Sequence, residues 1–216
     1  VWEPEFAFMD SMSPTTISMD YYDIAITDYI DQPSGQEALD LCYVLGDPNA
    51  CGGIVRIGGA LGESGTGAPA YFTNFEKFQA EGVDLSVSTG FDLGGLGDLG
   101  VHLTAHKYLS NEFQTTAASP LVDCNGRYGT SCDPVPEYRH TLRVNWFYDA
   151  YDASLLWRYI GAMDAQENEA ASLFSAFRSV DAQDYLDLSV GFRYKDFGRI
   201  SLLVSNITNE DPPILG

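Results

Sequence analysis

The sequence has 216 residues, of which 45% are hydrophobic, so it can bury a core and general disorder is excluded. Its 31 acidic residues against 11 Lys and Arg residues give a formal net charge of −20. This charge excludes electrostatic binding to nucleic acid or to an anionic bilayer surface. Glycine (21), tyrosine (13) and phenylalanine (12) are abundant, and this composition predicts an all-β chain.

Eight strands are predicted from an alternation of apolar and polar residues, which places successive side chains on opposite faces of a strand. Residues 1–8 and 16–30 form the first two strands, although their alternation is less regular. Three hairpins follow. The strand at 70–93 turns at 94–98 into a strand that starts at Leu99. A strand ending at Tyr148 turns at 149–152, and one ending at Tyr194 turns at 195–198.

The connections between these strands alternate between short and long. Short turns are predicted near 9–15, 94–98, 149–152 and 195–198, and long connections without regular structure at 31–67, 111–136 and 162–181. Long structureless connections are unusual in compact soluble domains, but transmembrane β-barrels of the bacterial outer membrane place them on the extracellular side. The pattern therefore predicts an antiparallel transmembrane β-barrel with its long loops extracellular.

The four cysteines form two local couples, Cys42 with Cys51 and Cys124 with Cys132, and both fall in long connections. Four cysteines allow three pairings, and we expect the two local disulfides, each worth about 2.5–3 kcal/mol by loop closure. A metal site is the weaker alternative, because neither couple has C-x-x-C spacing or a nearby histidine. Oxidised cysteines indicate a periplasmic or extracellular location.

The alternation separates an apolar face, with Leu85, Val144 and Leu188, from a polar face. Lysine and arginine cost about 2–4 kcal/mol at the middle of a lipid-facing surface, and none is expected there; Lys107 faces outward only near the long connections. Aromatic residues are expected in two interfacial girdles, with Phe91, Trp146, Tyr148 and Tyr194 near the short turns and Tyr29, Tyr138, Tyr159 and Tyr185 near the long connections. Eight polar-face residues are candidates to line a wet interior: Asp84, His102, His106, Arg139, Arg143, Arg158, Asp187 and Arg193.

Catalysis and metal binding receive no support from the sequence. His102 and His106 share the polar face of one strand, about 13 Å apart by strand rise, which is too far for one ion. No G-x-S-x-G motif occurs, so no nucleophile is nominated and no enzyme activity or cofactor is expected. A soluble β-sandwich, whose strands also alternate, is the alternative fold.

Six segments, in this order, resemble the C-terminal barrel half of TonB-dependent outer-membrane receptors. They are Asp20–Ile24 (DYYDI), Glu81–Leu85 (EGVDL), Tyr138–Arg143 (YRHTLR), Trp157–Gly161 (WRYIG), Asp184–Leu188 (DYLDL) and Ser205–Pro213 (SNITNEDPP). The resemblance implies a 22-stranded barrel that encloses a plug. Residues 1–216 would then be the C-terminal portion of one barrel domain, strands fourteen to twenty-one, with the plug domain and the last strand absent from this stretch.

By this resemblance, the expected function is TonB-dependent active uptake of a scarce solute, a siderophore, vitamin or oligosaccharide, across the bacterial outer membrane. The implied partners are TonB, reached through an N-terminal region outside this stretch, an extracellular solute and outer-membrane lipid. The polar-face arginines could contact solute or plug carboxylates, or pair within the barrel wall. Acids in the loops could attract a cationic or metal-bearing solute or calcium, or form a solvated surface. A non-transporting surface binding module, such as an adhesin, is the alternative function.

Overall fold

A computed structural model of the protein describes residues 12–61, 64–68, 71–117, 119–129, 131–195 and 197–214. The strands, numbered along the chain, are β1 (Met12–Asp31), β2 (Thr73–Asp92), β3 (Asp98–Gln114), β4 (Val122–Asp123), β5 (Arg127–Tyr128), β6 (Tyr138–Tyr148), β7 (Tyr151–Ile160), β8 (Met163–Ala165), β9 (Ser179–Val180), β10 (Gln183–Tyr194) and β11 (Gly198–Val204). The helices are α1 (Gly35–Tyr43), α2 (Pro48–Gly53) and α3 (Glu167–Ala170).

Most of these strands form one antiparallel sheet, in the order β1-β2-β3-β6-β7-β10-β11, with β4 paired to the end of β3. The prediction of a chain built mostly of β-strands, with an antiparallel main sheet, is confirmed. The sheet is open, with β1 and β11 at its two edges within the described part of the chain. Residues 1–8, predicted as an additional strand, lie outside the described residues.

The strand register gives the sheet two chemically different faces. Directly opposed residues of neighbouring strands lie on the same face. Val101 is opposite Val144, Val144 opposite Leu155, Leu155 opposite Leu188, and Leu188 opposite Val204, so one apolar row crosses five strands. This apolar face is largely uncovered in the described residues: Leu202 is 61% exposed. The predicted separation of faces is confirmed.

Aromatic rings border the apolar face at both ends. At the short-turn end, ring centroids are 5.9 Å apart for Trp146 and Tyr148 and 4.9 Å apart for Tyr151 and Phe192. At the other end, the His140 ring lies 4.5 Å from Trp157 and 5.2 Å from Tyr159, and 5.5 Å from Tyr138. These groups are called the lower and upper aromatic bands below.

Two aromatic residues depart from the girdle prediction. Tyr185 is opposite Arg158, whose guanidinium lies 5.5 Å from the Tyr185 ring centroid, so this tyrosine belongs to the polar face. Tyr29 lies beyond the upper band and packs edge-on against Phe75 and Phe78, at 5.2 and 5.8 Å. Strand alternation explains the first case, because Tyr185 is an odd-numbered neighbour of the apolar Leu186.

The short turns at 94–98 and 149–152 are confirmed. The first contains a 3-10 turn at Gly94–Leu96 and reverses at Gly97, which has a φ of 90°. The second reverses at Asp149, with a φ of 50°. The turn after Tyr194 also joins adjacent strands; its residue 196 lies outside the described part. The predicted turn at 9–15 is wrong for residues 12–15, which belong to β1 and contain a register shift between Ser13 and Thr16.

The long connections are more structured than predicted. Residues 31–67 contain α1 and α2, joined by the Cys42–Cys51 disulfide. Ser34 caps α1: its hydroxyl accepts from the Glu37 N–H, and the Glu37 carboxylate accepts from the Ser34 N–H. The predicted pairing of these two cysteines is confirmed, whereas the absence of regular structure is not.

The other two long connections fold together. Strands β5, from residues 111–136, and β8 and β9, from residues 162–181, form a small three-stranded sheet. Tyr128, Met163 and Val180 are buried in its core, beside the Cys124–Cys132 disulfide, which was also predicted. We call this unit the loop sheet. Within the described ranges, no helix combines the length and apolar character needed to cross a bilayer.

Candidate functional site

The polar face carries a cavity of about 500 Å³ near the long-connection end of β2, β3, β6 and β7. Five of its lining residues carry charged or titratable side chains on the polar face: Asp20, Asp84, His106, Arg139 and Arg158. The sheet register explains their proximity, because His106 is directly opposite Asp84 on one side and Arg139 on the other. We call this the polar cavity. Its volume lies in the range of small-molecule sites.

The centre of the polar cavity is a hydrogen-bonded chain of three side chains. His106 Nδ1 lies 2.6 Å from Asp84 Oδ1, and His106 Nε2 lies 3.4 Å from the Tyr22 hydroxyl. The His106 ring also contacts Tyr108 edge-on at 4.3 Å. The imidazole is therefore held from three sides, and its two nitrogens are both directed at partners.

Gly82 provides the space for Tyr22. It is directly opposite Tyr22 across β1 and β2, and a Cβ atom there would overlap the Tyr22 hydroxyl and approach the Lys107 carbonyl oxygen to 2.8 Å. Without a side chain at position 82, the tyrosine can cross β2 and reach His106 on β3. The Gly82 position thus couples three strands of the sheet.

A second charged pair lies beside the cavity. Arg158 Nη2 is 3.0 Å from Asp187 Oδ2, and the Asp187 side chain is only 15% exposed. Asp187 Oδ1 also accepts a 2.8 Å hydrogen bond from the Asn206 backbone N–H. Asp187 therefore links Arg158 to the segment that follows β11. For Arg158, pairing within the sheet is the observed role.

Arg139 differs from Arg158. Within the described part of the chain, no hydrogen bond or ion pair engages the Arg139 guanidinium, although it lines the polar cavity. An arginine presents a fork of N–H donors that matches carboxylates and other planar acceptors. Arg139 is therefore the polar-cavity cation that is available to a solute.

The structure places four of the eight predicted polar-face residues around the cavity: Asp84, His106, Arg139 and Arg158. The other four lie elsewhere. His102 is opposite Ser88 and Arg143, and Arg143 donates a 3.3 Å hydrogen bond to the Ser154 hydroxyl. Asp187 lies beside the cavity, paired with Arg158. Arg193 lies at the short-turn end of the sheet, opposite Arg199.

The sequence reasoning missed several residues of this face. Tyr22 and Asp20 belong to β1, whose alternation is irregular, so no face could be assigned to them. The ion pair between Arg199 and Asp152 was also missed. The sequence signal for this ion pair is Gly191. A Cβ atom at position 191 would clash with the side chains of both Asp152 and Arg199.

The chemistry available in the polar cavity is polar recognition by charge-assisted hydrogen bonds. No group of three or more His, Cys, Asp or Glu side chains is placed to hold one metal ion, as far as residues 12–214 are described. Comparison with known proteins adds no relative: no protein-family model matches the sequence, and no curated protein matches it.

Proposed function

We propose that this chain forms part of the transmembrane β-barrel of a TonB-dependent receptor and takes part in active solute uptake across the bacterial outer membrane. The observation that supports the proposal is the two-faced sheet. Its apolar face extends from β1 to β11 and is exposed, and aromatic bands border it at both ends on β6 and β7. Hydrocarbon is the solvent that suits such a face, and aromatic bands suit the two interfaces.

The distribution of charge on the apolar face supports the same proposal. Lys107 lies at the level of the upper band, opposite Tyr138, and its ammonium is 3.1 Å from the Glu137 carboxylate. A lysine at this level can extend its amine into the headgroup region. The apolar row from Val101 to Val204, between the bands, contains no charge. A cost of about 2–4 kcal/mol for each cation at the midplane is therefore avoided.

The open edges also agree with a barrel. β1 and β11 each present an edge of backbone N–H and C=O groups within the described sheet. Hydrocarbon contains no water to satisfy such groups, so strands of a membrane sheet are stable only when the sheet closes. We infer that further strands pair with β1 and β11, and that the polar face then lines a hydrated interior.

In the proposed mechanism, the chain binds and guides the solute and performs no chemistry on it. The long connections and the polar cavity hold a siderophore, vitamin or oligosaccharide, with Arg139 as a cation that has no ion-pair partner among the described residues. Energy arrives from TonB through a plug, which changes the affinity of the binding site. Transport then depends on differential binding between two states, and this requires no catalytic residue.

The test is uptake by whole cells. The protein is expressed in bacteria that lack their own receptors, with and without TonB, and uptake is measured for a ferric siderophore, cobalamin and maltodextrin. We expect the protein in the outer-membrane fraction and TonB-dependent uptake of one of these probes. Location in the membrane without TonB-dependent uptake of any probe would favour the adhesin. A monomer that is soluble without detergent would favour the β-sandwich.

A further inference from the structure

A second cavity, distinct from the polar cavity, lies where β1 ends, β2 begins and β3 ends. Its volume is about 500 Å³. The wall combines four aromatic rings with three carboxylates: Tyr29, Phe75, Phe78 and Phe113, and Asp31, Glu37 and Asp133. We call it the outer cavity. The two long connections that enclose it, at 31–67 and 111–136, each contain a disulfide.

A β-bulge places Phe113 on the same side of the sheet as Phe78. Gly82 is opposite Tyr108 and Glu81 is opposite Ser110, so Leu109 is an extra residue in β3. An extra residue reverses the alternation beyond it. Phe113 therefore comes to lie opposite Phe78, on the face that carries the polar cavity. Without the bulge, Phe113 would point to the opposite side of the sheet.

The outer cavity has an excess of negative charge. None of the described residues that line it is a lysine, arginine or histidine. The Glu37 carboxylate and the Asp31 Oδ1 atom each accept a backbone N–H, at 2.8 Å in both cases, whereas none of the observed contacts engages the Asp133 carboxylate within the described residues. Backbone hydrogen bonds do not neutralise a carboxylate, so the negative potential in the cavity stays uncompensated.

Part of the pKa shift of Tyr29 reflects this negative charge. The strand register places Tyr21 level with the upper band, through Val83, Lys107 and Tyr138. Tyr29 lies eight residues farther along β1, roughly 26 Å at about 3.3 Å per residue, and so outside the proposed membrane span. Burial, followed by the negative charges of Asp31 and Glu37, raises the pKa of Tyr29 to about 12. The negative charges of Asp31 and Glu37, which contribute to this shift after burial, also favour a cation in the cavity.

We propose that the outer cavity binds the alkylammonium group of a cationic organic solute. Aromatic faces attract a desolvated ammonium group through their quadrupoles, and carboxylates add direct charge complementarity. A neutral sugar would stack on the rings but leave the carboxylates uncompensated. This inference rests on the proposed function in one respect: it makes the cationic solute the one that is captured for uptake. The binding itself is measured without transport.

The test is calorimetric titration of the intact protein in detergent micelles with choline and with 3,3-dimethylbutanol, its uncharged isostere. We expect choline to bind and the isostere to bind at least about tenfold more weakly. Equal binding of the two probes would overturn the proposal, because the cavity would then be merely apolar. Binding of maltose in place of choline would also overturn it.

Matched variants locate the binding site. Asp133→Asn and Phe113→Leu should each weaken choline binding about tenfold, since each removes one of the two kinds of contact. Glu112→Gln is the control, because it removes the same charge next to Phe113 on the other face of β3. Should Phe113→Leu misfold, Asp133→Asn in its exposed loop still decides the question. An unchanged affinity in Asp133→Asn, or an equal loss in Glu112→Gln, would contradict the proposal.

The two proposals fail separately. Choline binding by a protein that shows no TonB-dependent uptake would end the proposed function and leave the outer cavity as an ammonium site. TonB-dependent uptake by a protein that does not bind choline would end the ammonium site alone.

Discussion

Asp84 and His106 face each other across β2 and β3, with 2.6 Å between the Asp84 Oδ1 and His106 Nδ1 atoms. A carboxylate can only accept a hydrogen bond, so the Nδ1 atom must carry the proton. The Nε2 atom is thereby left to meet the Tyr22 hydroxyl, at 3.4 Å. Three strands therefore share one polar chain on the wall of the polar cavity.

This geometry predicts the tautomer of His106. In ¹⁵N NMR spectra of histidine-labelled protein, we expect the Nδ1-protonated form of the neutral ring. Asp84→Asn should redistribute the ring between tautomers, because an amide can donate as well as accept. Asp20→Asn is the control, since Asp20 lines the same cavity and none of the observed hydrogen bonds joins it to His106. Unchanged ring-nitrogen shifts in Asp84→Asn would contradict the assignment.

The turn between β2 and β3 depends on Gly97. Its φ is 90°, and a Cβ atom there would overlap the carbonyl oxygen of Phe147. Gly97→Ala should lower the free energy of unfolding by about 1–3 kcal/mol, through strain and the forced shift of the neighbouring turn. Gly95→Ala is the matched control, because a Cβ at position 95 meets no atom within 4 Å. Equal unfolding free energies for the two variants would show that position 97 tolerates a side chain.

The parts of the fold that local pattern encodes could be predicted. The period of two in β2, β3, β6, β7 and β10 assigned each residue to a face, and four polar-face candidates then met in one cavity. Helix α1 had a local signal that was overlooked: Ser34 and Glu37 have the spacing of a capping box.

Other features could not be predicted because their causes are not local. In β1 the charged Asp20 and the apolar Ile24 share the face of Tyr22, so the alternation in the sequence does not assign that face. The loop sheet joins Arg127 to Asp164 through parallel pairing, and such distant partners leave no periodicity in either segment. The bulge at Leu109, which carries Phe113 into the outer cavity, also has no sequence signature in the alternation.

The two faces of β6 give a direct test of the membrane proposal. Val144 lies on the apolar row between Val101 and Leu155, whereas Asn145 is on the polar face, opposite Gly100 and Ser154. In lipid bilayers, Val144→Arg should lower stability by about 2–4 kcal/mol and reduce the amount in the outer membrane. Asn145→Arg carries the same charge one residue away and should change stability by less than about 1 kcal/mol.

The unfolding free energy of both variants is measured in liposomes. If Val144→Arg were tolerated as well as Asn145→Arg, the apolar face could not be in contact with hydrocarbon. A larger loss for Asn145→Arg than for Val144→Arg would reverse the assignment of the two faces.

The loop sheet should open at alkaline pH because of Tyr128. This residue is buried, and its hydroxyl donates a 2.6 Å hydrogen bond to the Phe177 carbonyl oxygen. Burial, with a smaller contribution from the negative charge of Asp164, raises the pKa of Tyr128 above its ordinary value of 10.0. A pKa raised by folding means that the folded loop keeps the proton more firmly. The protonated Tyr128 therefore stabilises the folded loop sheet fully below about pH 10, and this stabilisation is lost as the pH rises through the raised pKa of Tyr128.

Tyr128→Phe separates this effect from general alkaline unfolding. The variant loses one hydrogen bond, worth about 1 kcal/mol, at neutral pH, but its loop sheet has no phenol to ionise. Protease cleavage within residues 119–135 is followed from neutral pH to above pH 10 in both proteins. We expect the wild type to become cleavable over this range and the variant to show a flatter dependence. Parallel curves for the two proteins would mean that another group opens the loop, since the phenol is the only difference between them.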